Sequence, residues 1–102
     1  MAIMQLTRFR SKANGTPDEM AKNAKHAKAH WEKVGAEYVG FSRIQAGLNT
    51  GDWLFVVRFP SWTVYGSAQD ATVKDSQFQK LLAHVLTTAD IVGRTVLTGV
   101  DL

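Results

Sequence analysis

The order in which the apolar residues change their spacing constrains this chain more than any other feature. Residues 3–12, 38–47, 53–60 and 91–100 alternate or are continuously apolar, and they are rich in β-branched and aromatic side chains, which is typical of strands. Two segments with helical spacing lie between the first and second strands and between the third and fourth. The predicted element order is therefore β-α-β-β-α-β, and 102 residues leave room for one domain, residues 1–102.

The two helices are predicted from capping residues and apolar stripes. Before the first helix, Thr16 suits the N-cap, Pro17 suits the first helical position, and Glu19 follows Thr16 at the spacing of a capping box. The apolar stripe of this helix is spaced 4-3-4-3: Met20, Ala24, Ala27, Trp31 and Val34. The second segment, residues 62–88, is predicted to be a bent or broken helix in which Ser76 caps the second part.

This order of elements is the split βαβ motif of the ferredoxin-like fold. Because crossovers of this kind are right-handed, both helices are expected on one face of a four-stranded antiparallel sheet. The first and third strands would then be central. The predicted fold class is α+β, ferredoxin-like, with two helices covering one face of the sheet.

The third strand is apolar on both sides, which a sheet with one face in water does not need. Its large side chains alternate between the faces: Trp53, Phe55, Val57 and Phe59 on one, Leu54 and Val56 on the other. Two helices can cover only one face. We therefore expect a second copy of the chain to cover the other face in a sheet-to-sheet homodimer. The alternative is a monomer that leaves an apolar face in water.

Composition excludes several classes of function. The chain has no cysteine, so it can form no disulfide, thiol nucleophile or thiolate metal site. Twelve Lys and Arg against nine Asp and Glu give a net charge of only +3, which does not predict a nucleic-acid partner. No apolar run approaches the roughly 18 residues of a membrane span, and residues 1–12 lack the order of a signal peptide. We therefore expect a cytoplasmic protein without a membrane or nucleic-acid partner.

Motifs that carry known chemistry are also missing from the sequence. It has no glycine-rich phosphate loop, no Gly-x-Ser-x-Gly elbow and no dinucleotide fingerprint. His26 and His30 are spaced i, i+4, but no third ligand lies near them, so no metal site is predicted. His26 and His84 are expected to face solvent. His30 lies at the flank of the apolar stripe, and a surface position is favoured for it as well.

Three features together resemble the dimeric α/β-barrel superfamily, and they span nearly the whole chain. They are the element order, the passage Phe59-Pro60-Ser61-Trp62 followed by Tyr65, and the segment Asp75-Ser76-Gln77-Phe78-Gln79-Lys80-Leu81-Leu82. The superfamily includes antibiotic-biosynthesis monooxygenases, haem-degrading monooxygenases and many uncharacterised stress-response proteins. The resemblance implies the fold and a dimer, but it fixes no reaction because the fold hosts several unrelated activities.

The resemblance also bears on cofactors. Haem-degrading members use an Asn on the first strand and a Trp and a His on the second helix. Thr7, Thr72 and Leu82 stand at the corresponding positions here, so haem degradation is not implied. Quinone-forming members use polar and Trp residues in a pocket between sheet and helices, where Trp62 is the nearest analogue. No cofactor is predicted.

A ligand site is predicted between the sheet and the helices. If the odd positions of the third strand face the helices, the same face would hold these residues of the other strands: Ile3, Gln5, Thr7 and Phe9; Tyr38, Gly40, Ser42 and Ile44; Ile91, Gly93, Thr95 and Leu97. The small members leave volume for a pocket. Its polar or aromatic lining would be Thr7, His30, Ser42, Trp62, Tyr65 and Gln69. The alternative is that the three tryptophans fill this volume.

The opposite face is expected to carry one arginine from each strand: Arg8, Arg43, Arg58 and Arg94. Guanidinium groups bind carboxylates and phosphates well, so these residues could form an anion site between the two copies. The favoured interpretation is that they lie at the rim of the interface and pair with Asp or Glu of the other copy.

Two hypotheses about function follow from these observations. In the first, the protein binds a small apolar or aromatic molecule in the pocket, either as a binding protein or as a cofactor-independent monooxygenase. In the second, it is a non-catalytic dimeric module for stress response or interaction, and side chains fill its interior. A cavity large enough for an aromatic ring separates the first hypothesis from the second.

Overall fold

The computed structural model describes residues 2–102, and it has the predicted order of elements with the second helix in two parts. The elements are β1 (Ile3–Ser11), α1 (Pro17–Lys33), β2 (Tyr38–Arg43), β3 (Trp53–Phe59), α2 (Trp62–Lys74), α3 (Ser76–Val85) and β4 (Ala89–Thr98). The four strands form one antiparallel sheet in the order β2-β3-β1-β4. The predicted α+β, ferredoxin-like fold with β1 and β3 in the centre is therefore confirmed.

The ends of α1 are fixed by hydrogen bonds outside the regular helix. At its start, the Thr16 hydroxyl accepts a hydrogen bond from the Glu19 backbone N–H at 3.2 Å, as the capping box predicts. At its end, the Ala36 N–H donates to the Trp31 carbonyl at 2.9 Å and the Gly35 N–H donates to the Glu32 carbonyl at 3.3 Å. This is a Schellman motif, and it holds Gly35 at a φ of 116°.

The predicted break in the second helix lies at Asp75, between α2 and α3. The Asp75 side chain accepts from the Phe78 N–H at 3.0 Å and so caps α3. Ser76, which was the predicted cap, is instead the first residue of α3. The prediction was wrong by one residue because Asp and Ser are both good N-caps and stand next to each other.

The helix-facing core is built on the register between the two central strands. Ile3 pairs with Phe59, Gln5 with Val57 and Thr7 with Phe55, so the odd positions of both strands share one face. Ile3, Val57 and Phe59 are fully buried there. Three aromatic rings pack edge to face at this point: Trp31 of α1 and Tyr65 of α2 lie 5.9 and 5.5 Å from Phe59.

The register of β2 corrects the predicted faces of that strand. Phe41 pairs with Phe55 and Ser42 with Leu54, so Val39 and Phe41 face the helices. Tyr38, Gly40 and Ser42 lie on the opposite face, and Ile44 lies beyond the end of the strand. The ring of Phe41 stacks on that of Trp53 at 5.0 Å, and this contact favours the helix-facing position of Val39 and Phe41.

A β-bulge makes part of the predicted face assignment of β4 wrong. The register between β1 and β4 shifts between Arg8 and Phe9, so Ile91 pairs with Phe9 while Arg94 pairs with Thr7. Ile91 therefore faces the helices as predicted, and so does Arg94. Three residues predicted on the helix face lie on the other one: Gly93, Thr95 and Leu97.

The four strand arginines do not share one face. Arg94 and Arg43 lie on the helix side, and the Arg43 guanidinium sits 5.1 Å from the centre of the Trp53 ring. Arg8 and Arg58 lie on the opposite face as predicted, but they pair within the chain. The Arg8–Asp52 ion pair has a distance of 2.7 Å, and the Arg58–Glu37 pair one of 3.0 Å.

Asp52 is the acceptor for two arginines on this opposite face. Its carboxylate also accepts from Arg10 at 3.0 Å, and its side chain is only 5% exposed. The hydrogen bonds from Arg10 and Arg8 hold the pKa of Asp52 below its usual value of 3.8, although burial acts against them. This three-residue cluster fixes the loop before β3 to β1.

Among residues 2–102, no helix is long and apolar enough to cross a membrane.

Two glycines provide a matched test of this backbone. Gly35 has a positive φ, and a Cβ there would lie 2.8 Å from Val64 Cγ1 of α2. Gly66 lies inside α2, where a Cβ would meet nothing within 4 Å. We expect Gly35→Ala to lower the free energy of unfolding by about 1–3 kcal/mol and Gly66→Ala to raise it by about 0.5–1 kcal/mol. Urea unfolding of both variants measures this, and a neutral Gly35→Ala would contradict the Schellman geometry.

Candidate functional site

A pocket of about 210 Å³ lies between the sheet and the three helices. It exists because α3 stands away from the sheet: none of its residues is fully buried, and its apolar side chains face the pocket. Two small residues of α1, Ala24 and Ala27, also leave volume. The side chains that line the pocket are Gln5, Thr7, Phe9, Met20, Asn23, Ala24, Ala27, Trp31, Phe41, Phe55, Gln69, Thr72, Val73, Phe78, Gln79, Leu81, Leu82, Val85, Ile91 and Arg94.

The size and lining of the pocket suit an aromatic ring. An engineered cavity of about 150 Å³ in another protein binds benzene, and this one is larger. Rings form much of its wall, from the sheet as well as from α1 and α3: Phe9, Phe41, Phe55, Trp31 and Phe78. Val73, Ile91 and Arg94 are exposed and mark the side on which the pocket opens to solvent. The tryptophans therefore do not fill the interior.

Two amide side chains pair across the pocket wall. Gln5 of β1 is buried, and its Oε1 accepts a hydrogen bond from Gln69 Nε2 of α2 at 3.0 Å. A glutamine in a central strand needs such a partner, because an unpaired buried amide is strongly destabilising. The pair therefore ties α2 to the sheet and gives the pocket a polar spot on a mostly apolar wall.

Behind the pocket wall lies a second polar group, formed by His30, Thr72 and Asp75. His30 Nε2 is 2.8 Å from Thr72 Oγ1, and His30 Nδ1 is 3.5 Å from Asp75 Oδ2. The imidazole is only 8% exposed because it packs against Phe78 at 4.2 Å and Trp31 at 5.2 Å. His30 itself does not line the pocket, but Thr72 does. The prediction that favoured a surface position for His30 is therefore wrong.

The charge state of His30 follows from its surroundings. Burial lowers the pKa of its imidazole below the usual 6.5; the Asp75 carboxylate partly opposes this, and Lys33 adds to it. The pKa of Asp75 is also lowered, mainly because the Phe78 N–H donates to its carboxylate. Near neutral pH the structure thus holds a neutral imidazole next to an ionised carboxylate.

This arrangement can accept a proton at the pocket wall. The Thr72 hydroxyl has one proton and two acceptors within reach, since the Ala68 carbonyl lies at 2.7 Å and His30 Nε2 at 2.8 Å. When the hydroxyl donates to His30, the imidazole can donate from Nδ1 toward Asp75. A neutral imidazole oriented by a carboxylate and bonded to a hydroxyl is the arrangement of a general base.

The structure brings together half of the residues predicted to line the site. Thr7 and Gln69 line the pocket, and His30 lies directly behind it. Ser42, Trp62 and Tyr65 do not line it. Ser42 lies on the opposite face of the sheet. Trp62 is 54% exposed and packs on Tyr65, whose ring is part of the core around Phe59.

Four residues that matter to the site were missed in the sequence: Asn23, Thr72, Asp75 and Arg94. Asn23 follows Met20 by three residues and therefore shares the apolar stripe of α1, so its position was a readable signal. Arg94 had none, because only the bulge turns it toward the helices. Within residues 2–102, no three His, Asp or Glu side chains lie close enough together to hold a metal ion.

The lowered pKa of His30 predicts how stability depends on pH. The unfolded chain takes up a proton on His30 near pH 6.5 while the folded chain resists it, so the free energy of unfolding decreases from about pH 7 to pH 5. Asp52 and Asp75 stay ionised in this window because each pKa lies below 3.8. We expect His30→Gln to reduce the decrease.

Urea unfolding at the two pH values measures this effect. The matched control is His84→Gln, because His84 is exposed and pairs only with Glu19 at 2.8 Å. The control should keep the decrease that His30 causes. A decrease of the same size in wild type and His30→Gln would contradict the assignment.

Comparison with known proteins agrees with this fold. No protein-family model and no curated protein matches the sequence. Among solved structures, a variant of SnoaB, a cofactor-independent oxygenase from Streptomyces nogalater, has a TM-score of 0.75 at 11% identity, covering 99% of this chain and 95% of that one. An uncharacterised NIPSNAP-like domain protein from Burkholderia xenovorans has a TM-score of 0.77 at 11% identity, with 98% and 86% covered.

HapK from Hahella chejuensis has a TM-score of 0.70 at 12% identity, and the match covers 100% of this chain and 95% of HapK. At such low identity these likenesses establish the fold and leave the reaction open. The predicted ferredoxin-like fold is therefore confirmed, and one of the proteins that share it is a cofactor-independent oxygenase.

Proposed function

We propose that the protein binds a small apolar or aromatic molecule in the pocket between the sheet and the helices. The observation that carries this proposal is a pocket of about 210 Å³ with aromatic walls and few polar groups. The apolar side chains of α3 line the pocket without filling it, since Leu81, Leu82 and Val85 are not fully buried. A ring in this position would cover those side chains.

The reaction we propose is a cofactor-independent monooxygenation, in which dioxygen is the oxidant: one of its atoms enters the bound compound as a carbonyl oxygen, and the other leaves as water with the two hydrogens that the compound loses. The likeness to SnoaB, a cofactor-independent oxygenase, supports this class of reaction. Such chemistry needs an electron-rich substrate, and removal of a proton from a phenol or an acidic C–H provides one. His30 would accept that proton through the Thr72 hydroxyl, and Asp75 would orient the imidazole.

We further propose that the protein acts as a sheet-to-sheet homodimer. The sheet face away from the helices carries an apolar centre: Met4, Leu6, Leu54, Val56 and Leu97. The Arg8–Asp52 and Arg58–Glu37 ion pairs lie on the same face. An apolar centre with paired charges is typical of an interface, and a second copy offers the same self-complementary surface.

A matched pair of substitutions on α1 tests ligand binding. Ala27 lines the pocket, whereas Ala29 is exposed on the other side of the helix. Ala27→Leu should weaken binding of indole at least tenfold, since the added carbons occupy the space of the ligand. Ala29→Leu should leave binding unchanged. Calorimetric titration with indole measures both, and the absence of saturable binding to wild type would contradict the proposal.

Oxygen consumption separates catalysis from binding alone. A protein that oxygenates 1-naphthol should consume oxygen in an electrode without added flavin, haem or metal, and Ala27→Leu and His30→Gln should each lower the rate about tenfold or more. The Ala29→Leu variant should keep the wild-type rate. Indole binding without oxygen consumption would instead favour a binding protein that does not catalyse a reaction.

Sedimentation tests the dimer. Val56 lies at the centre of the open face, opposite Leu6, so Val56→Lys should convert a species of about two chains into one of a single chain at micromolar concentration. Val100→Lys is the control, because Val100 is 76% exposed beyond β4. Circular dichroism verifies that both variants are folded. A wild-type mass of one chain at this concentration would contradict the dimer proposal.

A further inference from the structure

Arg94 is the only charged residue among the side chains of residues 2–102 that line the pocket. It belongs to the edge strand β4 and is exposed at the side where the pocket opens. Within residues 2–102 its guanidinium takes part in no ion pair and lies over no aromatic ring. The other four arginines each contact an acidic or aromatic side chain: Arg8, Arg10, Arg43 and Arg58.

Thr7 is the neighbour of Arg94 on the same face of the sheet. The two residues are directly opposite each other in the register of β1 and β4. Side chains in such pairs have their Cβ atoms about 4.5–5.5 Å apart and can contact the same group. Thr7 also lines the pocket, so a charged and an uncharged polar side chain meet at one place in its wall.

The Thr7 hydroxyl is open to the pocket. None of the side-chain hydrogen bonds within residues 2–102 involves it. In these residues Asn23 Nδ2 is the one fully enclosed side-chain nitrogen or oxygen without a partner, so the Thr7 hydroxyl is accessible. Because Thr7 is only 4% exposed and lines the pocket, that accessible surface belongs to the pocket. A buried hydroxyl of this kind needs a partner from outside the chain.

The pocket wall discriminates between ligands by charge more than by hydrogen-bonding type. Its uncharged polar residues carry amides and hydroxyls, which can donate as well as accept: Gln5, Thr7, Asn23, Gln69, Thr72 and Gln79. No Asp or Glu of residues 2–102 lines the pocket, so no carboxylate of the wall offsets the charge of Arg94. An uncompensated positive charge at a cleft with apolar walls attracts a negatively charged ligand.

We propose that Arg94 and Thr7 form a carboxylate subsite, and that the ligand is an aromatic monocarboxylic acid whose ring occupies the pocket. This inference rests on the proposed binding function and names the class of ligand. The planar guanidinium donates to both carboxylate oxygens, and the Thr7 hydroxyl donates to one of them. The single charge of Arg94 matches the single charge of a carboxylate.

Indole-3-acetate and indole-3-acetamide test the subsite, because they have nearly the same shape and differ in charge. We expect wild type to bind the acetate about tenfold more tightly than the acetamide. Arg94→Gln should remove most of this preference, and Arg94→Lys should keep part of it because the charge remains. Calorimetric titration measures the ratio of the two Kd values for each protein.

Arg43→Gln is the matched control. Arg43 is exposed and lies on the same face of the sheet, but it does not line the pocket. This variant loses the same charge from the protein as Arg94→Gln and should keep the wild-type preference. An equal loss of preference in both variants would show that the overall positive charge attracts the acetate, and this would overturn the inference.

Thr7→Val tests the second member of the subsite, because it removes the hydroxyl and keeps the branched shape of the side chain. We expect the Kd of indole-3-acetate to rise about threefold to tenfold, while the Kd of indole, which has no carboxylate, stays the same. In the Arg94→Gln background the effect of Thr7→Val should be smaller, because the two residues hold one group. A rise of equal size for indole and indole-3-acetate would contradict the contact between Thr7 and the carboxylate.

The outcomes distinguish this inference from the proposed function. If indole binds wild type and the acetate and acetamide bind equally well, the carboxylate subsite is wrong and the binding function stands. If none of the three compounds binds wild type, the proposed function fails, and this inference fails with it. A preference for the acetate that Arg94→Gln removes and Arg43→Gln keeps supports the subsite.

Discussion

The pairing of β1 on both of its edges is the constraint on which the rest of the structure depends. Because side chains alternate along a strand, its registers with β3 and β4 decide which residues the helices cover. The odd positions Ile3, Gln5 and Thr7 enter the helix side and are buried. The even positions Met4 and Leu6 form the open face. One strand therefore supplies part of the pocket floor and the centre of the proposed interface.

The break at Asp75 determines the upper wall of the pocket. Its carboxylate caps α3 through the Phe78 N–H, and the second oxygen of the same group faces His30. A continuous helix through this point would carry no such cap and would direct α3 along the axis of α2. The residue that caps α3 is thus also the residue that faces the imidazole, so the direction of α3 and the surroundings of His30 share one cause.

The sequence predicts the architecture better than the site, and the reason is physical. Capping residues and periodicity act locally, so Thr16 and the break in the second helix could be located from neighbouring residues. The faces of β2 and β4 depend on register and on a bulge, which only partner strands determine. The sequence therefore misplaces Ser42 and Arg94. Tyr38, which was also predicted on the helix face, instead lies half exposed over Arg58.

The side chains that α1 places at the pocket leave a space that a tightly packed core would fill. Ala24 and Ala27 stand where larger apolar residues would each add about 1.5–3 kcal/mol of stability through burial. Helix propensity does not prevent this, because replacing alanine with leucine costs only about a few tenths of a kcal/mol. Asn23 on the same stripe lowers stability further, since its amide has no protein partner. A chain of 102 residues has little stability to spare. Three departures from a well-packed stripe on one helix, all lining one pocket, favour the proposed binding function over a module whose interior is filled.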